Sequence, residues 1–261
     1  MYTCGDIADL FRKIAPEELA EDFDNVGFLV GHRNQPVQSI LLTLDVDENV
    51  ANEAVALGCN MIVSHHPVIF HPVKRIEDST SHGRMLLTLI ENKIAVYSAH
   101  TNMDAAKGGL NDFLLEKLHF ASEEILEVDK NDVGIGRIVY IKEGVSLRAL
   151  AELVKEAFSL NVIRYTGNPE RVVKSIGICS GGGSGMIDDC ITRECDVFIT
   201  GDIKYTGARQ LAEYGISVID LGHFESEHIC MEMFEHMIKD SLGDSLTLHY
   251  SKANRNVFRE L

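Results

Sequence analysis

Displaced by 136 positions, from 39 to 175, this 261-residue chain lies on itself. Ser39-Ile40 falls on Ser175-Ile176, and Cys59-Asn60-Met61-Ile62-Val63-Ser64 falls on Cys195-Asp196-Val197-Phe198-Ile199-Thr200. Farther on, Ile94-Ala95-Val96-Tyr97-Ser98-Ala99-His100 matches Ile216-Ser217-Val218-Ile219-Asp220-Leu221-Gly222-His223, with one extra residue in the second copy. Several segments echoed in the same order predict an internal duplication. The alternative is chance similarity between two β-α-β units, which share composition anyway.

Each copy reads strand, helix, strand, polar tip. Short β-branched runs predict strands at 40–44, 61–63, 94–97, 138–141, 176–179, 197–199 and 218–219. Amphipathic spacing predicts helices at 48–57, 83–92, 108–118, 147–158, 204–214 and 225–239. Ile7, Leu10, Phe11 and Ile14 add an N-terminal helix that ends near Pro16. This alternation predicts an α/β fold of two related lobes, each a mixed sheet flanked by helices. The lobes are expected at 1–127 and 128–261, with the charged stretch 123–132 as linker. Residues 223–261 are expected to return to the first lobe, as they must if His223 and Glu227 are to meet His65.

Lysine and arginine total 24 against 40 aspartates and glutamates, a net charge of −16 that repels phosphate backbones. With no local basic patch, this argues against nucleic acid as a partner. The six cysteines, Cys4, Cys59, Cys179, Cys190, Cys195 and Cys230, form no C-x-x-C pair. That spacing fits neither a zinc ribbon nor a disulfide framework and suits small core residues in a reducing compartment. The N-terminus lacks the basic and apolar regions of a signal peptide, and no run of about 18 apolar residues could span a membrane. A cytoplasmic location is expected.

The chemistry collects at predicted strand ends, where α/β sheets open into ligand crevices. The strand at 61–63 runs into Ser64-His65-His66-Pro67. Neighbouring side chains leave an extended chain on opposite sides, so two metals, or one metal and one substrate contact, suit the pair better than one shared ion. A pair of loop histidines with no ligand is the plainer reading. Two further strands end in His100, followed by Asp104, and in His223, followed by Glu227. The polar residues 101–106 suit a capping loop before a helix that begins near Gly108 or Gly109. At helical spacing His223 and Glu227 share a face, although a glutamate in a first turn is favoured by the helix dipole alone. Imidazoles with carboxylates make a donor set for Zn, Mn, Fe, Co or Ni rather than for Ca or Mg alone. The run Gly181-Gly182-Gly183-Ser184-Gly185 could cradle phosphate, but it lacks the Lys-Ser/Thr of a P-loop and reads first as a flexible turn opening a helix.

Five segments in order resemble one known family: Asp24-Asn25-Val26-Gly27-Phe28-Leu29-Val30-Gly31, Ser64-His65-His66-Pro67, His100-Thr101-Asn102-Met103-Asp104, Thr200-Gly201-Asp202-Ile203-Lys204-Tyr205 and Gly222-His223-Phe224-Glu225-Ser226-Glu227. The chain resembles the GTP cyclohydrolase I type 2 homologues, or NIF-three-like proteins, over essentially its whole length. The resemblance implies two α/β lobes, a ring-shaped homohexamer and a dinuclear metal centre opening toward the ring interior. It implies His65, His66, Asp104, His223 and Glu227 as ligands of two divalent ions, with Glu227 bridging. It places His100 as a nearby donor rather than a sure ligand, whereas the duplication makes His100 the counterpart of His223. Phe23 stands where the family often has tryptophan. Thr206-Gly207 replaces a common His-Asp, which argues against a catalytic role for that loop, though Asp202, Lys204 and Tyr205 remain.

The family name implies a small-molecule substrate such as GTP or another nucleotide. Opening a purine imidazole ring would need water attack at C8 and a proton donor for the ring nitrogen, for which His100 is the catalytic candidate. Lys204 and Arg255 could contact a phosphate, or could be ordinary surface charge. A strand-end metal site serves a phosphoesterase or amidohydrolase equally well, since a fold does not fix a substrate. A metal-binding protein of regulatory, trafficking or interaction function, without turnover, is the alternative.

Overall fold

The computed structural model describes residues 1–127 and 133–259. The part of the expected linker at 128–132 lies outside the described residues, and the lobe boundary expected after residue 127 falls at their edge. In chain order the elements are α1 (Cys4–Ile14), β1 (Gly27–Val30), β2 (Ser39–Thr43), α2 (Glu48–Ala56), β3 (Met61–Ser64), α3 (Ser81–Glu91), β4 (Ala95–Ser98), α4 (Thr101–Ala105) and α5 (Leu110–Lys117). There follow β5 (Glu124–Ile125), β6 (Arg137–Ser146), α6 (Leu147–Ala157), β7 (Arg164–Tyr165), β8 (Val172–Gly182), α7 (Ile187–Thr192), β9 (Val197–Gly201) and α8 (Tyr205–Glu213). The chain closes with β10 (Ser217–Asp220), α9 (His223–Glu227), α10 (Cys230–Leu242) and β11 (Thr247–Tyr250). Two compact units result, one of residues 1–103 with 230–261 and one of residues 104–229.

The first unit holds a five-stranded sheet in the order β1-β4-β3-β2-β11. Strands β2, β3, β4 and β11 run parallel, and β1 is antiparallel to β4. Buried Leu41, Ile62 and Val96 put one face of this sheet against Val50, Ala54, Leu86 and Leu89 of α2 and α3. The opposite face carries Tyr97, whose ring packs on Phe11 of α1 at 5.5 Å, and Phe11 meets Phe234 of α10 edge-on at 5.2 Å. Both faces are apolar because a parallel sheet is covered on both sides.

The second unit holds a six-stranded sheet in the order β5-β6-β8-β9-β10-β7. Residues on β9 alternate as the pleat requires: Val197 and Ile199 pack with Leu147, Leu150 and Val154 of α6, while Phe198 packs with Cys190 and Leu211 of α7 and α8. Set beside the first sheet, the run β7-β10-β9-β8 repeats β1-β4-β3-β2 strand for strand. Registers repeat as well, with Ile40 opposite Met61 and Ile176 opposite Val197. Even the entry to the second strand is copied. Asn60 Oδ1 accepts from the Gln38 N–H at 3.0 Å, and Asp196 Oδ2 accepts from the Lys174 N–H at 2.7 Å. The duplication read from the sequence is therefore a repeat of topology, register and local hydrogen bonding.

Three local expectations change. The helix expected over 225–239 is two helices, α9 and α10, interrupted at His228-Ile229. Ile229 packs in the second unit's core while Cys230 is buried in the first. Residues 101–105 form the short helix α4 rather than a loop, with Asn102 Oδ1 accepting the His100 N–H at 3.0 Å. The short edge strands β1 and β11 carried no periodicity long enough to read. Among the described residues no helix is long and apolar enough to cross a membrane.

Two side chains tie down loops. Arg137 is buried and donates to Asp112, to the carbonyls of Gly134 and Gly136, and to that of Ala106 at 2.8 Å. Removing the guanidinium strands these acceptors and the Asp112 charge, so Arg137→Met is expected to cost about 3–5 kcal/mol in urea unfolding. Glu53 on α2 accepts from Ser251 Oγ at 2.6 Å and from the Lys252 and Ala253 N–H groups. Burial alone would raise its pKa, but these hydrogen bonds favour the charged form and the net shift is downward from 4.5. A depressed carboxylate stabilises the fold above its unfolded pKa and loses that contribution as pH falls through the folded value. The stability advantage of the natural protein over Glu53→Gln should be complete near neutrality and shrink below about pH 4.5 in denaturant titrations at graded pH.

Candidate metal centre

The buried strand β3 delivers Ser64, whose hydroxyl donates to the His66 carbonyl at 2.9 Å and pairs with Ser98 Oγ across the sheet at 2.9 Å. These bonds turn the chain out of the extended form, so the two histidine rings do not part as an extended chain would require. The ring centroids of His65 and His66 are 5.3 Å apart. His100, just past β4, stands 5.2 Å from His65 and 5.3 Å from His66, and the three imidazoles form a nearly equilateral triangle. Their ligand nitrogens lie within 4.8 Å of one another, a group that could hold a metal ion.

Each ring is oriented from behind. His65 Nδ1 lies 2.7 Å from the Ala99 carbonyl, which can only accept, so Nδ1 carries the hydrogen and the lone pair sits on Nε2. His66 Nδ1 lies 2.7 Å from Asp45 Oδ1, and His100 Nδ1 lies 2.9 Å from Asp24 Oδ2. Asp24 is wholly enclosed and also accepts from the Thr101 N–H and hydroxyl. Burial pushes the Asp24 carboxyl up, yet hydrogen bonds from His100 and Thr101 outweigh it and hold the pKa at about 2. A histidine whose Nδ1 faces a carboxylate or carbonyl offers Nε2 in a fixed direction, the usual support of a metal-bound imidazole. The residues present thus fit a borderline divalent ion.

The second unit carries the remaining predicted residues, Asp104, His223 and Glu227. Gly222, with φ +96°, turns the end of β10 into α9, on which His223 and Glu227 are one helical turn apart. His223 Nε2 lies 2.9 Å from Glu227 Oε2, and His223 Nδ1 lies 3.1 Å from Asp202 Oδ2. Glu227 is buried against the end of β8, where a methyl group on Gly181 would come 2.0 Å from its carboxylate oxygen. Asp104 is also nearly buried and accepts from Ser180 Oγ at 3.1 Å. Two backbone donors of the glycine run are committed internally. Gly181 donates its N–H to Ser226 Oγ and Gly183 donates to Thr200 Oγ1, which spends those donors inside the protein. Lys204 and Arg255 are exposed, the latter bonded to the Lys252 carbonyl.

The duplication explains how the copies diverged. Positions 65 and 66 correspond to Gly201 and Asp202 at the 136-residue offset. A side chain at 201 would collide with the backbone of Gly222-His223, and Asp202 has become the acceptor that orients His223. Sequence reasoning missed Asp45, which immediately follows Leu44 at the end of β2. Its signal was the same strand-end placement that drew attention to the histidines.

The family model described as Duf34/NIF3 (NGG1p interacting factor 3) matches residues 2–256. The chain belongs to this family. A "GTP cyclohydrolase 1 type 2 homolog" of Clostridium perfringens is 36% identical over 97% of this chain and 98% of its own length. A "NIF3-like protein 1" of Drosophila melanogaster is 30% identical over 94% of this chain and 85% of its own. Among solved structures, a Bacillus cereus protein related to NIF3 superposes with a TM-score of 0.88 over 99% of both chains at 24% identity. The two-lobed NIF3 fold expected from the five motifs is the fold observed.

Two substitutions separate orientation from ligation in this DUF34/NIF3 chain. Asp45→Ala removes the Nδ1 acceptor of His66 and is expected to weaken metal binding about 10–100-fold in competition with a chromophoric chelator, with little change in unfolding midpoint. Gly181→Ala should displace the Glu227 carboxylate and strain a backbone at φ +61°. A chelator competition that reads the same affinity for Gly181→Ala as for the natural protein would contradict the close approach described.

Proposed function

We propose that this DUF34/NIF3 protein is a cytoplasmic metal-dependent hydrolase that binds two divalent ions through His65, His66, Asp104, His223 and Glu227. The supporting observation is the set of four histidines, His65, His66, His100 and His223, each fixed through Nδ1 by a carbonyl or carboxylate. Surface histidines have no need of such support, whereas a ligand must present one nitrogen in one direction. When bound, the ions would activate water at neutral pH and offset charge on the oxygen that gains it.

The chain's own residues account for the rest of the chemistry. His100 takes the role of acid and base, holding a proton at Nε2 and releasing it to a leaving nitrogen or oxygen. Asp24, kept ionised behind it, stabilises the imidazolium while the proton is in place. Glu227 would be the carboxylate that holds both ions in this scheme, and its burial favours carboxylate–metal contact over hydration. The substrate class is a nucleotide, as the GTP cyclohydrolase relatives suggest, or another phosphoester, which a strand-end metal site serves equally well, and the working assembly is a homohexamer.

Protein purified with its native metal is expected to hold two ions per chain and to turn over GTP, another nucleotide or a generic phosphoester. Glu227→Ala should lose one ion and at least about 100-fold in turnover. Full metal content with no turnover on any of these substrates would favour a regulatory or trafficking protein. A chain with intact histidines and no metal affinity would overturn both.

A further inference from the structure

Helix α7 ends in a turn that brings two cysteines together. The Cys195 N–H donates to the Cys190 carbonyl at 3.0 Å and the Glu194 N–H donates to Ile191 at 3.1 Å, while Glu194 takes the left-handed φ of +51°. This six-residue closure places the side chains of its first and last members in contact. Both sulfurs sit over Gly177 of β8: a methyl group there would lie 3.1 Å from Cys195 Sγ and 3.2 Å from Cys190 Sγ. Both side chains belong to the same buried cluster beneath β8. The equivalent turn in the first unit closes the same way, from the Cys59 N–H to the Ala54 carbonyl at 2.9 Å, with alanine where the second unit has Cys190. The turn itself therefore does not need a second thiol.

Both thiols are buried, Cys190 completely and Cys195 with 3% of its surface exposed, and Cys195 is among the residues that line a surface cavity of about 310 Å3 with Arg171, Glu194, Asp196 and Tyr214. The neighbouring Cys190 lowers the pKa of the Cys195 thiol against the opposing effect of burial, and the same proximity raises that of Cys190. A cysteine beside a cavity whose pKa is lowered, with a second cysteine behind it whose pKa is raised, is the order of an attacking and a resolving cysteine.

We propose that Cys190 and Cys195 form a thiol–disulfide modification site that is oxidised by a hydroperoxide entering this cavity. The Cys195 thiolate attacks the terminal peroxide oxygen, the O–O bond breaks, and the leaving alkoxide or hydroxide takes a proton from water. The product is a sulfenic acid at Cys195. Cys190 sulfur then attacks the Cys195 sulfur, the S–O bond breaks, and the Cys190 proton leaves with the hydroxyl as water. The dithiol is oxidised by two electrons and the peroxide is reduced by the same two.

Trypsin cuts after Arg193, between the two cysteines, so the bond joins peptide 175–193 to peptide 194–204. Full-length protein treated with hydrogen peroxide, then alkylated, should lose two mass units and yield that linked pair, with fragmentation placing the bond at Cys190 rather than Cys179. Dithiothreitol should reverse it. In Cys190→Ser, dimedone should label Cys195 at least about tenfold faster than Cys4, Cys59 or Cys230. A bond to Cys179, equal labelling of all cysteines, or folded natural protein that stays fully reduced while excess peroxide persists would overturn the proposal.

Discussion

The hydrogen bond behind each histidine is the constraint on which the site depends. A free imidazole can present either nitrogen and rotate about two side-chain torsions. Once Nδ1 is tied to the Ala99 carbonyl, or to Asp45, Asp24 or Asp202, tautomer and direction are settled together. Three of these four supports are carboxylates, each of which places negative charge behind the imidazole it orients. The acidic balance of the whole chain, −16, acts in the same sense at longer range.

Those supports are available because of where the strands end. Asp45 follows β2, His65 and His66 follow β3, and His100 follows β4, so adjacent parallel strands release their polar residues at one edge of the first sheet. The second sheet repeats the plan with Gly181, Asp202 and His223 at the ends of β8, β9 and β10. Duplication preserved the strand order and register while the tips changed chemistry. A glycine at 181 admits the Glu227 carboxylate at the place where the first copy carries Asp45.

Much of this is legible in the amino-acid sequence alone, for a physical reason. Buried parallel strands such as Met61–Ser64 and Val197–Gly201 are continuous apolar runs, and their polar tips stand out against them. The repeat at 136 residues survived because register and packing constrain the same positions in both copies. What escaped notice lacked a periodic signature. Strands β1 and β11 have four residues each at sheet edges, and the break between α9 and α10 contains neither glycine nor proline. The close approach of His65 and His66 depends on a serine hydroxyl bending the chain, which no alternation rule anticipates. Asp45 and the Cys190–Cys195 turn are contacts between residues whose roles emerge only when the chain has folded.

The central claim is that anchored imidazoles and buried carboxylates hold a pair of ions, and X-ray absorption at the metal edge of the loaded protein tests it most directly. The account predicts a first shell of nitrogen and oxygen at about 2.0–2.2 Å, with imidazole multiple scattering and a metal–metal vector at about 3.5 Å. A spectrum fitted by water oxygens alone, with no imidazole contribution, would contradict it.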